Sequence, residues 1–116
     1  MKLDRIVEED VISPTLLAGL LRTHKKEVAE TLGLAVDAIS RKERIRSAMT
    51  QTRLREMVEI LNKVEPLMGS PITAYAWYRS EPLPSFGGIT PEHLVKEGRA
   101  EDVRRYLDRM MSGGYT

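Results

Sequence analysis

Six basic residues, Arg41, Lys42, Arg44, Arg46, Arg53 and Arg55, stand within fifteen positions against one acid, Glu43. A local excess of five positive charges suits the binding of phosphates. A solvated helix face carries the same pattern, and the sequence leaves both readings open. A second group of side chains that could meet a partner closes the chain: Arg104, Arg105 and Arg109, then Met110 and Met111, then Gly113, Gly114, Tyr115 and Thr116. Methionine adapts to irregular binding surfaces. The last two residues, after two helix-ending glycines, form a slim tail suited to meeting another molecule.

Residues able to do covalent or acid–base chemistry are sparse. The two histidines, His24 and His93, are far apart, and neither has the spacing of paired metal ligands. Solvent-facing or helix-capping roles are expected for both. Gly87-Gly88 follows Pro84-Ser85-Phe86 and lacks the Lys-Ser/Thr of a phosphate loop, so it reads as a turn. Neither Ser85 nor any carboxylate has a partner placed beside it by spacing. The chain is therefore expected to be a binding protein with no catalytic, cofactor or metal site.

At 116 residues with a net charge of +1, the sequence suits one folding unit with a modest core. It has no cysteine, which excludes disulfide and thiolate chemistry. No apolar run approaches the roughly 20 residues of a membrane span. The acidic opening, Met1 to Asp10, lacks the apolar core of a signal peptide, so a cytoplasmic location is expected.

The elements that position these residues read as helices throughout. Ser13-Pro14, Ser70-Pro71 and Thr90-Pro91 each set a capping hydroxyl before a proline at the first helical position. Leu16, Leu17, Leu20 and Leu21 give the first helix its apolar side. Thr23 or His24 caps a second helix carrying Val28, Ala29 and Leu32, which Gly33 ends. A third is expected from about Val36 to Arg44 or beyond. From Gln51 a long helical period runs through Leu54, Met57, Val58, Leu61, Val64 and Met68, with Pro66 kinking or ending it. Tyr75, Trp77 and Tyr78 gather on the following helix before Pro82 and Pro84 force a loop, and Trp77 is expected in the core. Residues 91 to 97 form a short helix ended by Gly98. Val103, Tyr106, Leu107, Met110 and Met111 line one side of the last helix. The expected architecture is all-α: an N-terminal arm at 1–12, a helix-turn-helix-like region at 13–69 and a helical partner-binding region at 70–116, folding as one unit.

A helix-turn-helix needs a small residue at the helix crossing, a glycine in the turn and an apolar anchor in the second helix. Ala29, Gly33 and Ile39 stand at those places, flanked by Val28 and Leu34. The segment resembles Xre-type helix-turn-helix domains, with a departure where Lys42 occupies a position usually apolar. That similarity implies Val36, Asp37 and Ser40 as base-facing positions. Lys25, Lys26, Arg41 and Arg44 would contact the phosphate backbone. A scaffold that keeps the motif without reading DNA is the alternative.

Trp77, the run Thr90-Pro91-Glu92-His93-Leu94-Val95-Lys96-Glu97-Gly98, then Val103, Leu107 and the ending Gly113-Gly114-Tyr115-Thr116 together resemble the toxin-binding domain of the Xre/MbcA/ParS antitoxin family. The resemblance covers roughly residues 70 to 116. It implies an antitoxin that neutralises a RES-domain toxin consuming NAD+. The toxin's active-site entrance would be covered by Arg104, Arg105, Arg109, Met110, Met111 and residues 113–116. It further implies self-association and repression of the pair's own promoter. The alternatives are an Xre-like transcription regulator without a toxin, and a ParS-like adaptor that offers the same surface to another partner.

Overall fold

Three of the helices begin where a hydroxyl side chain meets a proline. Ser13 Oγ accepts from the Leu16 amide at 3.2 Å, Ser70 Oγ from Thr73 at 3.1 Å and Thr90 Oγ1 from His93 at 3.2 Å. Each hydroxyl satisfies a first-turn amide that has no partner within its helix. In the computed structural model, which describes residues 1–112, these caps open α1 (Pro14–Leu20), α6 (Pro71–Ser80) and α7 (Pro91–Lys96). The other helices are α2 (Lys25–Leu32), α3 (Asp37–Ser40), α4 (Lys42–Ile45), α5 (Ala48–Met68) and α8 (Ala100–Met111). The fold is all-α apart from one small hairpin, β1 (Val7–Glu8) with β2 (Val11–Ile12).

The long helix α5 is the spine. Its Leu54, Met57, Val58, Ile60, Leu61 and Val64 are buried and share one core with Leu17 of α1, Val28 and Leu32 of α2, and Tyr78 of α6. Leu94 and Val95 of α7 and Val103 and Leu107 of α8 belong to that core and are fully covered. Each such side chain contributes about 1.5 to 3 kcal/mol by leaving water. Pro66 neither ends nor replaces the last turn of α5, which continues to Met68. Gly69, in the left-handed region, closes it.

Three expectations change. Residues 1–12, read as an arm, fold back onto α5: Ile6 is fully buried and Ile12 nearly so. Gln51 pins them, its Oε1 accepting from the Ile12 amide at 2.9 Å and its Nε2 donating to the Ile12 carbonyl at 3.0 Å. The third helix is shorter than expected. It breaks at Arg41, whose φ of −97° and ψ of 132° are extended, and α4 begins one residue later. Lys42 thus leaves the helix whose inward side it could not have filled. Finally, Trp77 is only half-buried, packing at the edge of the core. The buried stripe of α6 runs through Ala74, Tyr75 and Tyr78, and Tyr78 is the aromatic at its centre.

Candidate functional site

Helix α8 lies beside α5 and runs in the same direction. Arg104 Nη1 meets Glu59 Oε2 at 3.4 Å, and one turn further along both helices Asp108 Oδ1 meets Lys63 Nζ at 2.7 Å. Equal steps along the two helices mean that their C-terminal ends lie at the same end of the molecule. There, one turn beyond these ion pairs, Leu67 of α5 is 53% exposed, and Met110 and Met111 of α8 are 41% and 44% exposed. Large apolar side chains left in water at adjoining helix ends are the composition of a binding surface.

The two candidate methionines therefore stand in the open, and the arginines beside them divide. Arg104 is held by Glu101 at 2.9 Å as well as by Glu59, and its side chain is only 23% exposed. Arg105 is 70% exposed, with Glu101 and Asp102 at the outer limit of ion pairing, 3.9 and 3.8 Å. Arg109 is exposed and makes no ion pair among the described residues. Gly113, Gly114, Tyr115 and Thr116 lie outside the described residues. Leu67 did not show in the sequence as part of the surface, because it sits beside the apolar period of α5 that marks the core.

The base of α8 is braced by aromatic contacts. Phe86, in the loop after α6, meets Tyr106 edge-on with ring centroids 6.3 Å apart, and the Arg99 guanidinium lies 5.5 Å over the Phe86 ring. Helix α7 is fixed from its polar side. Glu92 receives Arg79 Nε at 3.0 Å and Lys96 Nζ at 3.0 Å. Arg79 Nη1 reaches on to Glu27 Oε1 of α2 at 2.9 Å. Glu27 also accepts from the Thr23 hydroxyl at 2.5 Å and the Tyr75 hydroxyl at 2.7 Å. These bonds, Thr23 and then Tyr75 before Arg79, hold the Glu27 carboxyl below its ordinary value of 4.5 against the cost of partial burial. Burial, and next the Glu27 carboxylate, push the Tyr75 phenol up.

In the front half, the residues read as a helix-turn-helix surround the turn between α2 and α3. Ala29 and Ile39 are fully buried, and Gly33 ends α2 with φ 68°, passing its neighbour's amide, Leu34 N, to the Ala29 carbonyl at 2.9 Å. Val36, Asp37 and Ser40 are exposed around the four-residue α3, and Ser40 Oγ donates to the Val36 carbonyl at 2.8 Å. Lys26, Arg41 and Arg44 are exposed and Lys25 is half-buried. Among the described residues no cluster of three His, Cys, Asp or Glu could hold a metal ion, and no helix is long and apolar enough to cross a membrane.

Comparisons with curated proteins and with solved structures give no match. The sequence model of the antitoxin Xre/MbcA/ParS C-terminal toxin-binding domain matches residues 63–113. That span takes in the end of α5, where Lys63 and Leu67 sit, and all of α6, α7 and α8. Residues 63–113 are thus similar to the C-terminal toxin-binding domain of the Xre/MbcA/ParS antitoxins.

Proposed function

We propose that the chain is the antitoxin of a type II toxin–antitoxin pair, that its toxin carries a RES domain, and that it acts by covering the toxin's NAD+-consuming site. The observation that carries this reading is the coincidence of the toxin-binding match with the one end of the molecule where Leu67, Met110 and Met111 are left in water. Arg105 and Arg109 flank those side chains and suit an acidic rim on the partner. Residues 113–116 continue from them and are assigned to the toxin's entrance. The test is NAD+ turnover by a purified RES-domain toxin, encoded beside this gene, titrated with the full chain. Stoichiometric inhibition with formation of a stable complex supports the reading. A toxin that keeps its full activity in an excess of the chain overturns it, and favours an adaptor of the ParS-like kind.

A second reading concerns the front half and rests on a different observation. The basic residues Lys25, Lys26, Arg41, Lys42 and Arg44 make no ion pair among the described residues, whereas Lys63, Arg79, Lys96, Arg99, Arg104 and Arg105 do. Uncompensated cations around a helix-turn-helix-like turn support contact with DNA phosphates. Self-association, also expected of such a regulator, is checked by the mass of the free chain in solution.

A further inference from the structure

We infer that the front half holds duplex DNA through its phosphates, with little discrimination among base sequences. The inference rests on the DNA-contacting reading above and concerns what that contact can recognise. Reading bases requires a recognition helix whose first turns reach into the major groove and carry side chains able to pair with base edges. Here α3 has four residues, Asp37–Ser40, and the extended backbone at Arg41 ends it before a second turn. A helix this short cannot lie along the groove.

Its side chains are also poorly suited to reading. The Ser40 hydroxyl proton is committed to the Val36 carbonyl at 2.8 Å. Asp37 carries a negative charge into a field of phosphates. Val36 offers only an apolar contact. The cations nearby have the opposite character. Arg41, Lys42 and Arg44 sit at and just beyond the break, exposed and without ion pairs among the described residues, and Lys26 is likewise exposed on α2. Arg46 and Arg53 are already engaged, donating to the Glu9 carbonyl at 2.9 Å and the Leu32 carbonyl at 2.8 Å. The contacts left to the protein are of the kind that position without specifying.

The test uses the full chain and two labelled duplexes, one from upstream of its own gene and one of the same composition in shuffled order, with binding followed by fluorescence anisotropy across a salt series. The two affinities are expected to agree within about tenfold, where specific regulators differ by about 10³ or more. The logarithm of affinity should fall against the logarithm of salt with a slope of about −3 to −4, for three to four phosphates neutralised. The triple variant Arg41→Ala/Lys42→Ala/Arg44→Ala should weaken both duplexes alike and flatten that slope by about 3, while Ser40→Ala and Val36→Ala change neither affinity. Circular dichroism of the triple variant, whose altered side chains are exposed, checks that it remains folded. A motif selected from a random duplex pool, bound about 10³-fold above background and lost in Asp37→Ala or Ser40→Ala, would overturn this mode while leaving DNA contact standing. No binding to either duplex at low salt would overturn both.

Discussion

Arg79 of α6 meets Glu27 of α2 at 2.9 Å, joining a helix of the segment that matches the toxin-binding family model to the helix that leads into the Gly33 turn. The same guanidinium holds Glu92 of α7 and lies 5.9 Å over the Tyr75 ring. Three helices are therefore oriented by one side chain. Replacing it with Met keeps the aliphatic packing and removes the charge, leaving Glu92, 13% exposed, with Lys96 alone. Arg79→Met is expected to cost about 1 to 2 kcal/mol, read as a shift in the urea midpoint at constant slope. A variant as stable as the parent would mean that the bridge is compensated from solvent.

The Glu27 carboxyl gives this bridge a pH dependence of fixed sign. Its folded-state pKa lies below the ordinary 4.5. The stabilisation is therefore fully present above pH 4.5 and is lost as pH falls through the depressed folded value. Thermal melts of the parent should fall more steeply below pH 4.5 than those of Glu27→Gln. Parallel acid limbs in the two proteins would remove Glu27 from the account.

The caps and the Gly33 turn were legible in the sequence because their chemistry is local: a hydroxyl three residues from an amide, a glycine where the backbone turns left-handed. What was not legible depends on contacts between distant residues. Gln51 fixes Ile12 from 39 positions away, and nothing in Met1 to Asp10 announces a hairpin whose turn places Glu9 and Asp10, not glycine or asparagine, at positive φ. The bridge from Glu27 through Arg79 to Glu92 is equally non-local. At the candidate site helical spacing set Met110 and Met111 on the apolar side of α8, with at least one expected in the core, yet both are exposed, and the pairing of Arg104 with Glu59 depends on α8 lying parallel to α5. That relation arises only in the packed fold.

The two neighbouring aromatics of α6 should separate cleanly. Tyr78 is fully buried and Trp77 half-buried, so Tyr78→Ala is expected to cost about 3 to 5 kcal/mol, like other large aromatic truncations, and Trp77→Ala clearly less. Denaturant midpoints of the two variants decide it. The reverse order would mean that the indole carries packing its exposure does not suggest.

Gly33 sits at φ 68°, where a β-carbon is strained whatever the space, and Lys96 Cγ lies 3.4 Å from where that carbon would stand. Gly33→Ala should cost about 1 to 2 kcal/mol and Gly33→Asn less, since asparagine tolerates the left-handed region. Equal costs for the two would point to Lys96 as the source of the penalty.

The exposed end formed by Leu67 and Met111 makes a separable prediction about the toxin. Because both side chains stand in water, Leu67→Asp and Met111→Asp should change stability by no more than about 0.5 kcal/mol, yet each places a charge where an apolar partner surface must dock. Complex affinity is expected to fall at least tenfold, about 1.4 kcal/mol, for either change. Removing residues 113–116 tests a different element, because those residues are assigned to the toxin's entrance rather than to the docking surface. Truncation should therefore weaken inhibition of NAD+ turnover more than it weakens complex formation, whereas the two aspartate variants should weaken both in proportion. Binding by calorimetry and inhibition by NAD+ turnover, measured on the same three proteins, distinguish the roles. Full inhibition by the truncated chain would assign the block to the helix ends themselves. Undiminished affinity in both aspartate variants would move the docking surface away from Leu67 and Met111, towards the exposed face of α7.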